Sequence, residues 1–433
     1  MTTNGATHAA SPTSPSSLPR RCASRSPLAA STAALFHKRT IRDADVRGKR
    51  VLVRVDFNVP LGATRSAPRP GAPTPRAPAP EDEIADDTRI RAALPTLRVL
   101  LKGGAAVGLV SHLGRPKGRD PKLSLAPVAT RLAGIIGQPV PLLDESVGPA
   151  VERAVRAMKP GDLVMLENVR FHPEEEKNDP AFAKQLAAGF DIFVNDAFGT
   201  AHRAHASTEG VAHFLPAYAG LLLEKELVAL GGILDQPKHP FVAIIGGAKV
   251  STKMDVLRSL VPRVDTLAIG GGMANTFLLA MGREVGRSLA EPDKETEARL
   301  VTDEVEGNGK ELLLPVDVVA APSADADGAS GAATYDVDEV PSHLAIVDVG
   351  PRTIDRYARV IGNAKTIFWN GPLGVFEVPA FANGTRRVAE LMASSGATTI
   401  VGGGESVQAV EEAGLADKMT HVSTGGGASL ELI

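Results

Sequence analysis

Short apolar runs rich in β-branched residues recur along the chain, each ending in glycines or a polar cluster and each followed by helical periodicity. The runs are Val51–Val55, Val107–Val110, Leu163–Leu166, Ile192–Val194, Val242–Ile245, Leu267–Ile269, Leu312–Leu314, Leu344–Val347, Thr366–Trp369 and Thr398–Val401. Because they are apolar nearly throughout rather than alternating, they predict strands covered on both faces, as in a parallel sheet. Segments such as Thr88–Leu101 and Ala181–Ala188 predict the helices that complete βαβ units. Ten such strands are too many for one sheet, so the pattern predicts an α/β protein of two domains with largely parallel sheets. The apolar helix Leu221–Leu234 is the natural link between them.

Three stretches break the alternation. Residues 1–35 are rich in Ser, Thr, Ala and Pro, and the chain carries six Lys/Arg through Arg42 before its first acid, Asp43. That composition predicts a disordered or targeting tail. Gly62–Pro80 holds six Pro, five Ala and three Arg, which excludes a helix or a central strand and predicts an extended surface insertion. Ser323–Thr334, rich in Ala, Gly, Ser and Asp, is a smaller anomaly of the same kind.

Composition narrows the function. With 47 basic residues interspersed among 50 acidic ones and a net charge of -3, nothing points to nucleic acid, and any anion site must be a local cluster. Cys22 is the single cysteine, so no disulfide forms within the chain. No apolar run approaches the roughly 18 residues of a spanning helix.

The residues that carry chemistry fall at the carboxyl ends of the predicted strands, where open α/β sheets bind ligands. In the first half these ends bear Arg115, Arg170, Arg203 and His112, with Arg89 at a helix start. Four rigid guanidinium forks suit bidentate recognition of carboxylate and phosphate, so the predicted ligand is small and multiply anionic. In the second half the strand ends are glycine-rich: Gly246–Gly247, Gly270–Gly272, Gly371–Gly374, Gly402–Gly404 and Gly425–Gly427, with Lys249 and Lys253 behind the first. Glycine lets backbone N–H groups approach phosphate oxygens, so these loops predict a nucleotide polyphosphate site. There is no Walker A sequence and no GxGxxG. The residues alone leave open which carboxylate is phosphorylated, and also a nucleotide-binding scaffold with impaired catalysis.

A series of longer motifs goes further. RVDFNVPL (54–61), DDTRIRAALPT (86–96), SHLGRPKG (111–118), LENVRFHPEEEKND (167–179), VNDAFGTAHRAHAST (194–208), IIGGAKVSTK (244–253), GGGMANTFL (270–278), FWNGPLGVFE (368–377) and STGGGASLEL (423–432) resemble phosphoglycerate kinases. The resemblance runs from about Phe36 to Ile433, apart from the insertions. It implies two Rossmann-like domains facing across a hinged cleft: a phosphoglycerate-binding domain at 36–218, a linking helix at 219–235 and a nucleotide-binding domain at 236–433. It implies that Asp56, Phe57, Asn58, Arg89, His112, Leu113, Gly114, Arg115, Arg170 and Arg203 bind 3-phosphoglycerate or 1,3-bisphosphoglycerate. Lys253, Asn370, Glu377, Gly403, Gly404, Glu405 and Ser406 would hold the Mg²⁺–ATP complex, with Glu377 on the ribose hydroxyls. Arg89 and Lys249 would be the catalytic pair that neutralises the transferring phosphoryl group.

Two departures from the family stand out. Glu405 occupies the place where the family usually has the aspartate that contacts magnesium, and an extra methylene displaces that carboxylate from an ion with strict octahedral geometry. The chain stops at Leu430-Glu431-Leu432-Ile433, where the family continues with a tail that packs back on the first domain, so either a looser hinge or an incomplete sequence is expected. The resemblance further implies a monomer with small-molecule substrates, in the cytoplasm, or in a plastid or other organelle if residues 1–35 are a transit peptide.

Overall fold

The computed structural model describes residues 1–2, 38–62 and 84–433; almost all of the 1–35 tail and of the 62–80 segment lies outside the described residues. Two parallel sheets dominate. The first contains β1 (Arg50–Arg54), β2 (Ala106–Val110), β3 (Leu163–Met165), β4 (Ile192–Asn195) and β5 (Ala217–Ala219), in the order β3-β2-β1-β4-β5. The second contains β6 (Phe241–Ile245), β7 (Thr266–Ile269), β8 (Glu311–Leu313), β12 (Thr366–Asn370), β13 (Thr398–Gly402) and β14 (His421–Val422), in the order β14-β13-β12-β6-β7-β8. In each sheet the chain winds outward on one side, then returns to build the other. The switch therefore falls between β1 and β4 in one sheet and between β6 and β12 in the other, and these are the places where such sheets bind ligands.

The apolar runs form central strands because both faces are covered. Val51, Val53 and Val55 pack into one core with Leu97, while Leu52 joins Val110 and Phe193 in another. Phe241, Ala243 and Ile245 alternate in the same way with Val242 and Ile244. Local chemistry sets the helix ends. Pro149, Pro180 and Pro351 occupy first turns, where no backbone N–H is missed, and the Asp179 carboxylate accepts from the Phe182 amide 2.9 Å away.

One strand was expected in a different place. Leu344–Val347 does become a strand, β11 (Ala345–Val349), but it lies in a separate antiparallel sheet with β9 (Asp317–Ala321) and β10 (Ala333–Asp336), in the order β10-β9-β11. Of its buried residues, Val349 joins the core on one face of the second parallel sheet, while Val347 packs in a small cluster with Ala321 and Phe381. The end of the anomalous 323–334 stretch is thereby folded into β10.

The helix Leu221–Asp235 runs between the two parallel sheets and is tied to both. At its start the amides of Leu222 and Leu223 donate to the buried carboxylate of Asp196, and the Leu221 amide donates to Thr96 Oγ1. One turn on, Glu226, wholly buried, accepts from His421 Nε2 at 2.7 Å and from the Thr424 amide and hydroxyl. A second link is apolar. Phe198, on the short helix Phe198–Ala201 that follows β4, belongs to the core of the second sheet. No helix among the described residues is long and apolar enough to cross a membrane.

Candidate active site

The loops after β1, β2, β3 and β4 meet at the first switch point. Asp56, just past β1, accepts from Arg89 Nη1 at 2.5 Å, which draws the start of the Thr88–Lys102 helix onto the site. Asn58 Oδ1 receives the Gly114 amide at 2.8 Å, and the Gly114 carbonyl receives Arg170 Nη1 at 2.9 Å. Gly114 has a positive φ of 64°, and a Cβ there would lie 2.9 Å from the Leu123 side chain, so the turn requires glycine. Arg170, on the turn after β3, is 8% exposed. Burial lowers its pKa, opposed by Glu176, and the nearby Arg203 and Arg115 lower it further. Arg115 and Arg203 are themselves exposed, so three guanidiniums converge on one solvent-accessible spot. Their mutual repulsion is relieved by an anion.

His112 lies beneath this cluster, 4% exposed. Burial holds its pKa well below that of a free imidazole, and Arg54, Arg170, Arg89 and His205 push it down further. It is therefore neutral at pH 7. Arg54 Nη2 lies 3.2 Å from His112 Nδ1, and a guanidinium can only donate, so Nδ1 accepts and the ring proton resides on Nε2. Phe57 and Leu113 are sealed in the core, and their part is to hold the backbone: the Phe57 amide donates to Ser111 Oγ, and the Leu113 amide to Asn168 Oδ1.

Arg54 went unassigned at the sequence level, yet it organises the site. It is 1% exposed, donates through Nε to Ser207 Oγ at 2.8 Å, and also bonds the Val55 carbonyl. Ser207 donates in turn to the buried carboxylate of Glu175 at 2.5 Å. A charge inside an otherwise apolar run was the available signal, since a buried charge needs a partner.

At the second switch point the loops after β6, β7 and β12 are braided backbone on backbone. The Gly247 amide donates to the Pro372 carbonyl, the Gly271 amide to the Leu373 carbonyl, and the Met273 amide to the Gly247 carbonyl. A Cβ on Gly246 would sit 2.1 Å from the Pro372 oxygen, which leaves glycine as the residue that fits. Buried Trp369 supports the braid from below, donating Nε1–H to the Gly371 carbonyl. Two chambers result. A chamber of about 550 Å³ is lined by Gly271, Gly272, Val375, Glu377 and Glu405 among others, and a chamber of about 210 Å³ by Lys253, Asn370, Gly403, Gly404, Glu405 and Gly426. Glu405 lines both.

The smaller chamber is built for negative charge. Lys253 Nζ is held by uncharged oxygens, Asn370 Oδ1 at 2.7 Å and the Gly246 carbonyl at 2.6 Å, and burial lowers its pKa to about 8 despite the nearby Glu405. The buried Asn370 Nδ2 has no acceptor among the described residues. Ser406 Oγ, also buried, accepts from the Gly371 amide at 2.6 Å and fixes the start of the Gly404–Glu412 helix, whose free amides face the same space. Lys249 is exposed on the loop after β6.

A cleft of about 780 Å³ is lined from both sheets. Pro60, Thr88 and Arg89 line it from the first sheet, Lys225 from the connecting helix, and Gly404, Thr424 and Gly426 from the second. An arginine cluster and glycine-rich loops suited to phosphate, at the switch points of two doubly wound sheets, are the arrangement of a phosphotransferase. The family model for phosphoglycerate kinase matches residues 75–433. The chain belongs to the phosphoglycerate kinase family, ATP-dependent phosphotransfer enzymes of glycolysis. It is 56% identical over 404 residues to the phosphoglycerate kinase of Chloroflexus aurantiacus, covering 92% of this chain and 96% of the relative. The Herpetosiphon aurantiacus enzyme is 53% identical over 399 residues, with the same coverage. Among solved structures, phosphoglycerate kinase from Coxiella burnetii aligns with a TM-score of 0.79 at 42% identity, covering 91% of this chain and 95% of that one. The Pyrococcus horikoshii enzyme aligns with a TM-score of 0.74 at 31% identity over the same shares. Neither the scaffold reading nor a kinase for another carboxylate draws support from these matches.

Proposed function

We propose that this enzyme moves a phosphoryl group reversibly between ATP and 3-phosphoglycerate, with the substrate's own carboxylate as nucleophile. The observation that carries the reading is a cationic site at the strand ends of each parallel sheet, Arg115, Arg170 and Arg203 on the first and buried Lys253 with the unpartnered Asn370 Nδ2 on the second. Arg115, Arg170 and Arg203 bind the phosphate end of the triose. Neutral His112 donates from Nε2, and Asp56 and Asn58 take its hydroxyl while orienting Arg89 and the Gly114 turn.

The larger second-sheet chamber takes the nucleoside, with Glu377 on the ribose, and the smaller takes the phosphates. The donor set fits a nucleotide-borne magnesium ion. Glu405 is the one carboxylate in the phosphate chamber, and no group of three His, Cys, Asp or Glu residues among the described residues forms a metal cage of its own. Magnesium that keeps water and phosphate oxygens as most of its ligands needs no more than that. When bound, it would draw charge from the phosphate oxygens.

No side-chain base is needed, because a carboxylate is ionised at neutral pH. Catalysis is alignment plus neutralisation of charge on the transferring group. Arg89, lining the cleft opposite Gly404 and Gly426, and Lys249, exposed on the facing loop, provide it. The halves, divided as 36–218 and 236–433 by the helix at 219–235, close to bring them together and expel water. A coupled assay of ATP-dependent 3-phosphoglycerate consumption is expected to show turnover. Loss of at least a hundredfold in kcat is expected for Arg89→Ala with ADP binding intact. Normal nucleotide binding without turnover in the unaltered enzyme would refute the proposal.

A further inference from the structure

We infer that Asn275 reads the nucleobase and gives this enzyme a preference for a 6-aminopurine over a 6-oxopurine. The inference rests on the larger chamber being the nucleoside site, as proposed above. That chamber is mostly glycine backbone and apolar side chains, and such a surface accepts any purine face without telling one edge from another. Asn275, on the Gly271–Ala280 helix, is the one carboxamide among its lining residues and is 2% exposed.

The orientation of that amide is fixed. Its Nδ2 donates to the Leu289 carbonyl at 2.9 Å, and a carbonyl can only accept, so Oδ1 is the free end. Oδ1 takes no hydrogen bond from any described residue and is not among the sealed, unpartnered atoms, so it opens on the chamber. The adjacent turn holds this arrangement: the Glu291 amide donates to Thr276 Oγ1 at 3.0 Å, and Glu291 accepts from the Ser251 hydroxyl at 2.6 Å. The chamber thus presents an acceptor that cannot flip to become a donor without abandoning Leu289. An exocyclic 6-amino group satisfies it. A 6-oxo group sets two lone pairs face to face, and a purine with hydrogen at that carbon leaves the acceptor unpaired.

The test compares ATP, ITP and purine riboside triphosphate as phosphoryl donors for 3-phosphoglycerate, with the unaltered enzyme and with Asn275→Leu. For the unaltered enzyme kcat/KM is expected to fall about tenfold from ATP to ITP, mostly in KM, with purine riboside triphosphate between them. In Asn275→Leu the ATP-to-ITP ratio is expected to collapse towards one. Equal use of ATP and ITP by the unaltered enzyme would overturn the inference, even if the variant proves insoluble. Equal losses on both nucleotides in Asn275→Leu would also overturn it, reducing Asn275 to a brace for the Leu289 turn. Failure to use any of the three nucleotides would instead strike at the nucleoside-site reading itself.

Discussion

Replacing Arg54 by methionine keeps most of the buried volume and removes the charge, so the consequences can be worked out from its partners. Arg54 shares Ser207 Oγ with the carboxylate of Glu175, and burial raises the Glu175 pKa while Arg54 and Ser207 hold it down. Without the guanidinium, Glu175 is a buried anion that retains two donors from Ser207 and loses its principal nearby cation. Breaking a buried ionic network from one side costs about 3–5 kcal/mol. His112 also loses the donor that fixes its tautomer, so the ring can turn its unprotonated nitrogen to the substrate. Arg54→Met is therefore expected to lower the unfolding free energy measured by urea titration by that amount and to raise KM for 3-phosphoglycerate more than KM for ATP. Arg54→Met combined with Glu175→Gln removes the orphaned charge and is expected to recover at least half of the lost stability while KM stays high. A stability of Arg54→Met within about 0.5 kcal/mol of the parent would refute the reasoning, as would a double variant whose losses simply add.

Further outcomes follow from other buried groups. Burial raises the pKa of Asp196 from 3.8 to about 7, so its ionisation costs stability that is absent below pH 4, grows as pH rises to 7 and is constant above. Asp196→Asn is expected to flatten the decline in urea stability between pH 4 and 7, by up to about 4 kcal/mol, and an unchanged slope would refute this. Lys253, with its pKa lowered to about 8, is neutral above that pH in the free enzyme, whereas bound phosphates favour its cation. ADP affinity measured by calorimetry is therefore expected to fall by up to tenfold per pH unit above 8, and to do so far less in Lys253→Met. Glu405→Asp is expected to lower the magnesium concentration at which nucleotide binding is half-maximal, and an unmoved midpoint would show that the longer side chain already reaches the ion.

Much of this arrangement was legible because it was written in period and punctuation. The nine runs that became strands of the two parallel sheets are apolar and ended by glycines or polar residues, and the arginines and glycines that follow them gather at the strands' carboxyl ends. What was not legible lacked that signature. Ala217–Ala219 and Ala333–Asp336 are half-exposed edge strands, and His421–Val422 is two residues long. The strand character of β11 was visible but its partner was not, since an apolar run does not declare which sheet it joins. Arg54 and Glu226 were passed over for a related reason. Their importance lies in partners 153 and 195 residues away, Ser207 and His421, which no local window contains.

Phe198 precedes the connecting helix, yet its ring closes the core of the second sheet against Gly425, where a Cβ would lie 2.4 Å from the ring. The seam of the molecule and the seam of the chain are thus different places. A gene cut at Gly220 yields a carboxyl-terminal piece with an open socket and an amino-terminal piece with an unhoused ring, so neither half is a free-standing module for recombination with a distant relative. The 220–433 piece is expected to bind an apolar dye until a peptide spanning residues 190–210 is supplied. A dye-silent fragment would show that the socket collapses unaided.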